Sequence, residues 1–259
     1  MRIVSLCPSL TELVFALDAG DTLVGRTRFC VQPRGEVERI ERVGGTKNPR
    51  IDRIVALAPD LVLMNEEENR REDAEALREQ GIACHTSMPR TVPEAIAVVR
   101  SIAGAIGRGE QGEALARKIE DSRQSVRAAS ERADRVRHAY LIWRAPYMSV
   151  NADTYVSALL ADAGGINVFG DRRDRYPEVS PEELVAAAPD VVLLSSEPFP
   201  FQERHADELV HATGLARERF RLVDGELLSW HGPRTADGLE YARAVLRAGG
   251  GVGDPTSPA

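Results

Sequence analysis

The sequence predicts an α/β fold of two doubly wound parallel-sheet lobes joined by one long backbone helix, and three observations predict it. Strand-like and helix-like segments alternate over most of the chain, the order expected of parallel sheets with helices on both faces. One stretch, from Glu110 to about Ala133, carries no strand signal and interrupts that rhythm. A helix-turn-strand sentence is also written twice, as IVALAPDLVLM from Ile54 to Met64 and as LVAAAPDVVLL from Leu184 to Leu194. In each copy a proline stops the helix, and the uniformly apolar LVLM and VVLL suit a strand covered on both faces.

Taken in order, Arg2–Leu6 reads as a strand, and Ser9 is placed to cap a helix through about Leu17, with Glu12 completing a capping box. Leu23–Thr27 is a strand, Ile51–Ala58 a helix and Leu61–Met64 a strand. Arg70–Gln80 is a charged helix closed by Gly81, Ala83–Thr86 a strand, and Pro93–Ile106 an amphipathic helix. Leu115, Ile119, Ser122, Val126, Ala129 and Ala133 then fall at steps of four and three, the apolar stripe of one helix roughly 35 Å long. Beyond it come Ala139–Trp143 as strand, Tyr155–Ala163 and Glu182–Ala187 as helices, Val191–Leu194 and Arg221–Val223 as strands, and a closing helix near Thr235–Arg247. The implied domains are residues 1–107, a connecting helix over 108–135, residues 136–248, and a Gly/Pro/Ser-rich tail over 249–259 expected to be disordered.

Composition narrows the function classes. Forty acidic residues against 33 Lys and Arg give a formal net charge of -7 and a pI near 5.4, a surface that repels nucleic acid and anionic lipid. No run approaches a membrane span, so membrane insertion is not expected. The first residues show no secretory h-region, and Cys7, Cys30 and Cys84 are odd in number and form no CxxC. On these grounds a cytoplasmic protein is expected as encoded, with an extracytoplasmic one as the alternative if an upstream leader precedes it.

Gly107, Gly109 and Gly112 satisfy G-x-G-x-x-G, but they follow a helix and lie between helical segments, which is not the strand-turn-helix context of a dinucleotide site. G-x-S-x-G, P-loop and HExxH patterns are absent, so the sequence offers no catalytic signal. The aromatic residues are more informative. They make up only 5% of the chain, yet Phe29, Trp143, Tyr147, Tyr176 and Trp230 all fall in or beside loops that follow strands. In open α/β sheets the crevice beyond the carboxyl ends of the strands is where ligands bind.

SLCPSLTELVFALDAGDTLVGRTRFC, VGGTKNPRIDRIVALAPDLVL, GGINVFGDRRDRYPEVSPEELVAAAPDVVLL and LLSWHGPR together resemble the cobalamin-binding proteins of ABC importers. Those belong to the helical-backbone metal receptors, whose members also bind ferric siderophores, haem and metal ions. The resemblance covers roughly residues 2–247. It implies a non-enzymatic, monomeric binding protein that holds a corrinoid or other metal chelate between two lobes, with no tightly bound cofactor. The implied pocket comprises Phe29, Thr46 with Lys47, Asn65 with Glu66, Trp143, Tyr147, Tyr176, Trp230, His231 and Arg234. Arg234 is a residue type that can pair bidentately with a ligand carboxylate or phosphate, or simply sit in the first turn of the last helix. The cobalamin binders favour tryptophan where this chain has Thr46, Asn65 and Tyr176. Asp52 and Glu182, equally placed ahead of the two copies, are the implied docking acids for an ABC permease. The rival reading is an enzyme using the same cleft on a bound metal or corrinoid, with Cys7, Cys30 and His231 as ligands. Buried cysteines acting as small hydrophobes explain the same residues more simply.

Overall fold

The computed structural model describes residues 1–247, so the expected disordered tail lies outside the described residues. The described residues divide into two compact units, one formed by residues 1–89, 93–118 and 231–233, the other by 90–92, 119–230 and 234–247.

The first unit holds β1 (Ile3–Ser5), α1 (Pro8–Ala16), β2 (Leu23–Arg26), β3 (Glu41–Arg42), α2 (Ile51–Ala56), β4 (Leu61–Asn65), α3 (Arg71–Glu79) and β5 (Ala83–Ser87). Its parallel sheet runs β3-β2-β1-β4-β5. Val4, Leu6, Val62 and Met64 pack with Ile54 and Leu77 on one face. Ile3 and Leu63, which strand alternation sends to the opposite face, are fully buried as well, so both faces are covered.

The α4 helix (Val92–Ala105) ends at Gly107, whose φ of 71° is the left-handed conformation that closes helices. The α5 helix (Gly109–Ser130) follows, 22 residues or about 33 Å, and carries the chain from the first unit into the second. Gly112 lets it close on α4, because a Cβ there would stand 2.2 Å from that of Ala103. The apparent dinucleotide motif is therefore a helix stop and a packing contact. In the first unit Glu113 takes ion pairs from Arg100 (2.8 Å) and Arg117 (3.0 Å). In the second, Asp162 takes them from Arg123 (2.5 Å) and Arg127 (2.8 Å), so each half of α5 is fastened by one acid between two arginines.

The second unit contains β6 (Val136–Leu141), α6 (Tyr155–Asp162), β7 (Gly165–Asn167), α7 (Pro181–Ala186), β8 (Val191–Ser195), α8 (Glu203–Thr213), β9 (Phe220–Val223), α9 (Gly225–Ser229) and α10 (Thr235–Arg247). Its parallel sheet runs β7-β6-β8-β9, with Ala139, Leu141, Val192, Leu194 and Phe220 in one core and the alternate residues Tyr140 and Leu193 buried behind it.

The repeated sentence builds the same joint twice. Ala58 and Ala188, two residues past the ends of α2 and α7, take φ of 46° and 45°. Arg2 forks onto the carbonyl of Leu57 while its amide donates to Asp60 (2.6 Å). Arg137 does likewise with Ala187, Ala188 and Asp190. A cation on the last carbonyls of a helix is favoured by the helix dipole, which explains an arginine at both places.

Several boundaries differ from the sequence reading. Cys7 is the N-cap of α1 and Ser9 lies inside it, because Pro8 at N1 has the φ a first helical residue needs and no N–H to lose. The strand expected over Ala139–Trp143 is displaced to Val136–Leu141, since Ile142 and Trp143 turn instead into a hairpin with Met148. The α5 helix stops at Ser130 rather than near Ala133. The α8 helix was not anticipated, although Ala206 and Leu209 form its buried face and Gly214 closes it in the left-handed conformation.

Candidate functional site

Each sheet has one place where neighbouring strands lead their connections in opposite directions: β1 beside β4, and β6 beside β8. Loops diverge there and leave space beyond the carboxyl ends. In the first unit that place is bound together by asparagines. Asn69 donates to the carbonyls of Leu6 and Thr46, both at 3.0 Å, and accepts from the Asn65 amide at 2.8 Å. The end of β1, the loop bearing Thr46 and Lys47, and the end of β4 are thereby joined. Lys47 donates to the carbonyl of Glu67.

Asn65 itself fixes the state of His231. Its Oδ1 accepts from the Glu67 N–H at 2.9 Å, which leaves Nδ2 facing His231 Nε2 at 3.3 Å. Since Nδ2 can only donate, Nε2 accepts and the imidazole proton sits on Nδ1. Burial pushes the His231 pKa down to about 4, so the ring is neutral at pH 7. Phe29 stands 47% exposed on the loop after β2, with the Arg28 guanidinium 4.8 Å from its ring. Beneath that loop Arg26, 2% exposed, donates to the carbonyls of Val37 (2.6 Å), Thr27 (3.1 Å) and Cys30 (2.9 Å).

The two cysteines nearby are packed and inert. Cys7 Sγ lies 3.3 Å from the Ser9 hydroxyl and Cys30 Sγ 3.2 Å from that of Thr27. Burial pushes the Cys7 thiol up to about 12 and raises that of Cys30, so neither is a thiolate at neutral pH. Among the described residues no group of three or more His, Cys, Asp or Glu is placed to hold a metal ion, and the ligand set of the rival enzyme reading is not assembled.

In the second unit the chain leaves β6 into a hairpin closed by Ile142 N–H to Met148 O (2.9 Å) and Met148 N–H to Trp143 O (3.1 Å). Ser149, Asn151 and Val179 tie this hairpin to the segment 175–179. The hairpin presents Trp143, 41% exposed and edge-on to Phe199 at 5.9 Å, while the tied segment presents Tyr176, 39% exposed. Tyr147 points elsewhere: with Arg144, Pro146, Glu178, Ser180 and Pro181 it lines a groove of about 500 Å³ beside α7.

A buried polar chain then leads to Trp230. Tyr140 OH meets Ser195 Oγ at 2.9 Å, Ser195 donates to the Glu197 carbonyl at 2.6 Å, and Ser229 donates to Glu197 Oε1 at 2.7 Å. Trp230 follows Ser229, half-buried, with the Arg234 guanidinium 5.0 Å from its ring centroid. Arg234 also pairs with Glu226 at 3.2 Å. Glu197, Ser229, Glu226, Asn69 and Arg26 escaped the sequence reading. One signal was available: Asn65 and Ser195, equivalent in the two copies, each accept from the N–H two residues on.

Asp52 and Glu182 sit exposed in the first turns of α2 and α7. A hydrogen bond from the Ser180 side chain holds the Glu182 carboxyl below the usual range, so it is ionised at neutral pH.

The vitamin B12-binding protein of Vibrio cholerae serotype O1 is 24% identical over 246 residues, 95% of this chain and 89% of that protein. Its counterpart from Yersinia pestis is 27% identical over 194 residues, 75% of this chain and 69% of that protein. Among solved structures, the periplasmic vitamin B12-binding protein of Vibrio cholerae matches with a TM-score of 0.82 at 24% identity, over 95% of this chain and 96% of that one. The periplasmic heme-binding protein of Roseiflexus sp. RS-1 matches with a TM-score of 0.81 at 26% identity, over 95% of this chain and 99% of that one.

These periplasmic relatives overturn the expected cytoplasmic location. That expectation rested on where the chain begins, which says nothing of what precedes it, and on an odd cysteine count, which the packing of Cys7 and Cys30 accounts for. With residues 3–217 matching the family model described as periplasmic binding protein, this chain belongs to the periplasmic binding protein family, a family of binders rather than enzymes.

Proposed function

We propose that this chain is the extracytoplasmic capture protein of an ABC importer and that it binds a metal chelate, a corrinoid ahead of a ferric siderophore or haem. The relationship over nearly the full length to a vitamin B12-binding protein carries the reading. The aromatic residues support it, with Phe29, Trp143 and Tyr176 exposed and Trp230 half-buried at the carboxyl ends of the strands. Flat ring faces of this kind suit a large planar ligand, and a few polar groups orient it. A thermal-shift series with cyanocobalamin, haemin and ferrichrome tests the proposal. A ligand present at a hundred times its Kd stabilises the native state by about 2.7 kcal/mol, so cyanocobalamin should raise the Tm clearly. No shift with any of the three would refute the chelate reading.

Haem is the second reading, favoured by the 26% identity to the Roseiflexus heme-binding protein. A haem iron needs an axial donor. His231 Nε2 already accepts from Asn65, so the donor this chain offers beside the exposed aromatics is the phenol of Tyr176. A shift with haemin alone would favour this reading over the corrinoid.

Asp52 and Glu182 are the proposed permease contacts, one on each sheet unit. Reversing both charges, Asp52→Lys with Glu182→Lys, is expected to abolish ligand uptake by cells while leaving cyanocobalamin affinity within about twofold, since isolated surface charges contribute only about 0–1 kcal/mol to their own protein. Unchanged uptake would remove these acids from the transport interface.

A further inference from the structure

We infer that Arg234 and Glu226 form a positioning device for Trp230, which caps one face of the indole and offers the other to a flat ligand. The inference rests on the reading of Trp230 as a ligand-binding residue. The Arg234 guanidinium lies 5.0 Å from the Trp230 ring centroid, within the range at which a cation is held by an indole face. Its Nη1 is 3.2 Å from Glu226 Oε2, with side-chain exposures of only 18% and 29%. Glu226 therefore grips Trp230 twice. Its carbonyl accepts the Trp230 N–H at 3.0 Å, and its carboxylate holds the arginine that covers the ring.

The flanking chain is fixed as well. Ser229 donates to Glu197 on one side, and Arg234 O accepts from Gly238 N–H at 2.7 Å in the first turn of α10 on the other. A ring ordered before the ligand arrives does not lose rotamer freedom on binding, which is how preorganisation raises affinity. This differs from the role the sequence gave Arg234, that of pairing with a ligand carboxylate or phosphate, because its charge is already matched by Glu226.

The test has a ligand-free arm and a binding arm. The chain contains two tryptophans, so Trp143→Phe leaves Trp230 as the sole indole reporter. In that background, Glu226→Gln and Arg234→Gln should each increase acrylamide quenching of Trp230 fluorescence, and Arg234→Lys should restore part of the protection. With Trp143 intact, the two Gln variants should weaken cyanocobalamin binding by about two- to thirtyfold, the range a cation-aromatic contact spans, with the salt dependence of binding unchanged. If Arg234 instead met a ligand anion, Glu226→Gln would leave quenching at the wild-type level and strengthen binding, and Arg234→Gln would flatten the salt dependence. Those results would overturn the proposal. Should Arg234→Gln fail to fold, Glu226→Gln decides alone. If neither cyanocobalamin nor haemin binds the wild-type protein, the ligand reading falls, and the ligand-free arm still judges the device, which unchanged quenching in both variants would refute.

Discussion

Arg26→Met is expected to lower the stability of the protein by about 3 kcal/mol or more, measured by urea denaturation at pH 7. Arg26 is almost fully buried, and its guanidinium donates to three carbonyls, those of Val37, Thr27 and Cys30. Hydrogen bonds from a charged group contribute about 1.5–3 kcal/mol each, and an orphaned buried acceptor carries its own desolvation cost. Methionine keeps much of the volume, so the loss reports the hydrogen bonds rather than a cavity. Arg26→Lys should recover only part of it, because an ammonium lacks the planar fork that reaches carbonyls on two sides. Since these carbonyls shape the loop that carries Phe29, the same variant should also weaken ligand binding. A loss below about 1 kcal/mol would show that water satisfies those carbonyls once the arginine is gone.

Acid should destabilise the protein well above the carboxylate range. His138, buried in β6 with no hydrogen-bond partner for either ring nitrogen among the described residues, has its pKa pushed down to about 4 by burial, as does His231. In the unfolded chain a histidine titrates near 6.5. Between those values the unfolded state binds the extra protons, so stability falls as pH falls from about 6.5 towards 4. Above 6.5 these two groups make no difference. The slope reaches at most about 1.4 kcal/mol per pH unit for each histidine. Glu113, whose carboxyl is held down to about 2 by its hydrogen bonds to Arg100 and Arg117, loses its contribution only below about pH 4.5, so the windows separate. Urea midpoints at pH 7.5, 6 and 5 for the wild type and for His138→Gln measure this. The variant should show a clearly shallower slope, and equal slopes would mean that His138 takes up its proton without unfolding.

The two sheet units were legible because the chain states them twice. Periodicity and the recurring Ala-Pro-Asp turn are local signals, and Arg2 and Arg137 then close the same joint in both copies. The places of Phe29, Asn65, Trp143 and Trp230 were legible for a similar reason, since parallel strands send the loops after them to one edge. What those side chains touch was not. Asn65 meets His231 across 166 positions of sequence, and the groove beside α7 claims Tyr147 although Trp143, four residues earlier, stands on the open side of the same hairpin. Local preference misled where two local rules competed. Ser9 has the chemistry of a cap, but Pro8 fixes the backbone one residue earlier and moves the cap to Cys7. The partner of Arg234 was out of reach for a different reason, since Glu226 lies on another element and only the fold sets the two side by side.

The most direct test of the account is a calorimetric titration of cyanocobalamin into the wild-type protein and into Trp230→Ala. An aromatic contact contributes about 0.5–1.5 kcal/mol beyond the area it buries, and the lost indole surface adds to that. The variant should therefore bind at least about tenfold more weakly while melting within a few degrees of the wild type. Equal affinity in the two proteins, with wild-type binding established, would contradict the assignment of the ligand site to the aromatic loops at the carboxyl ends of the strands.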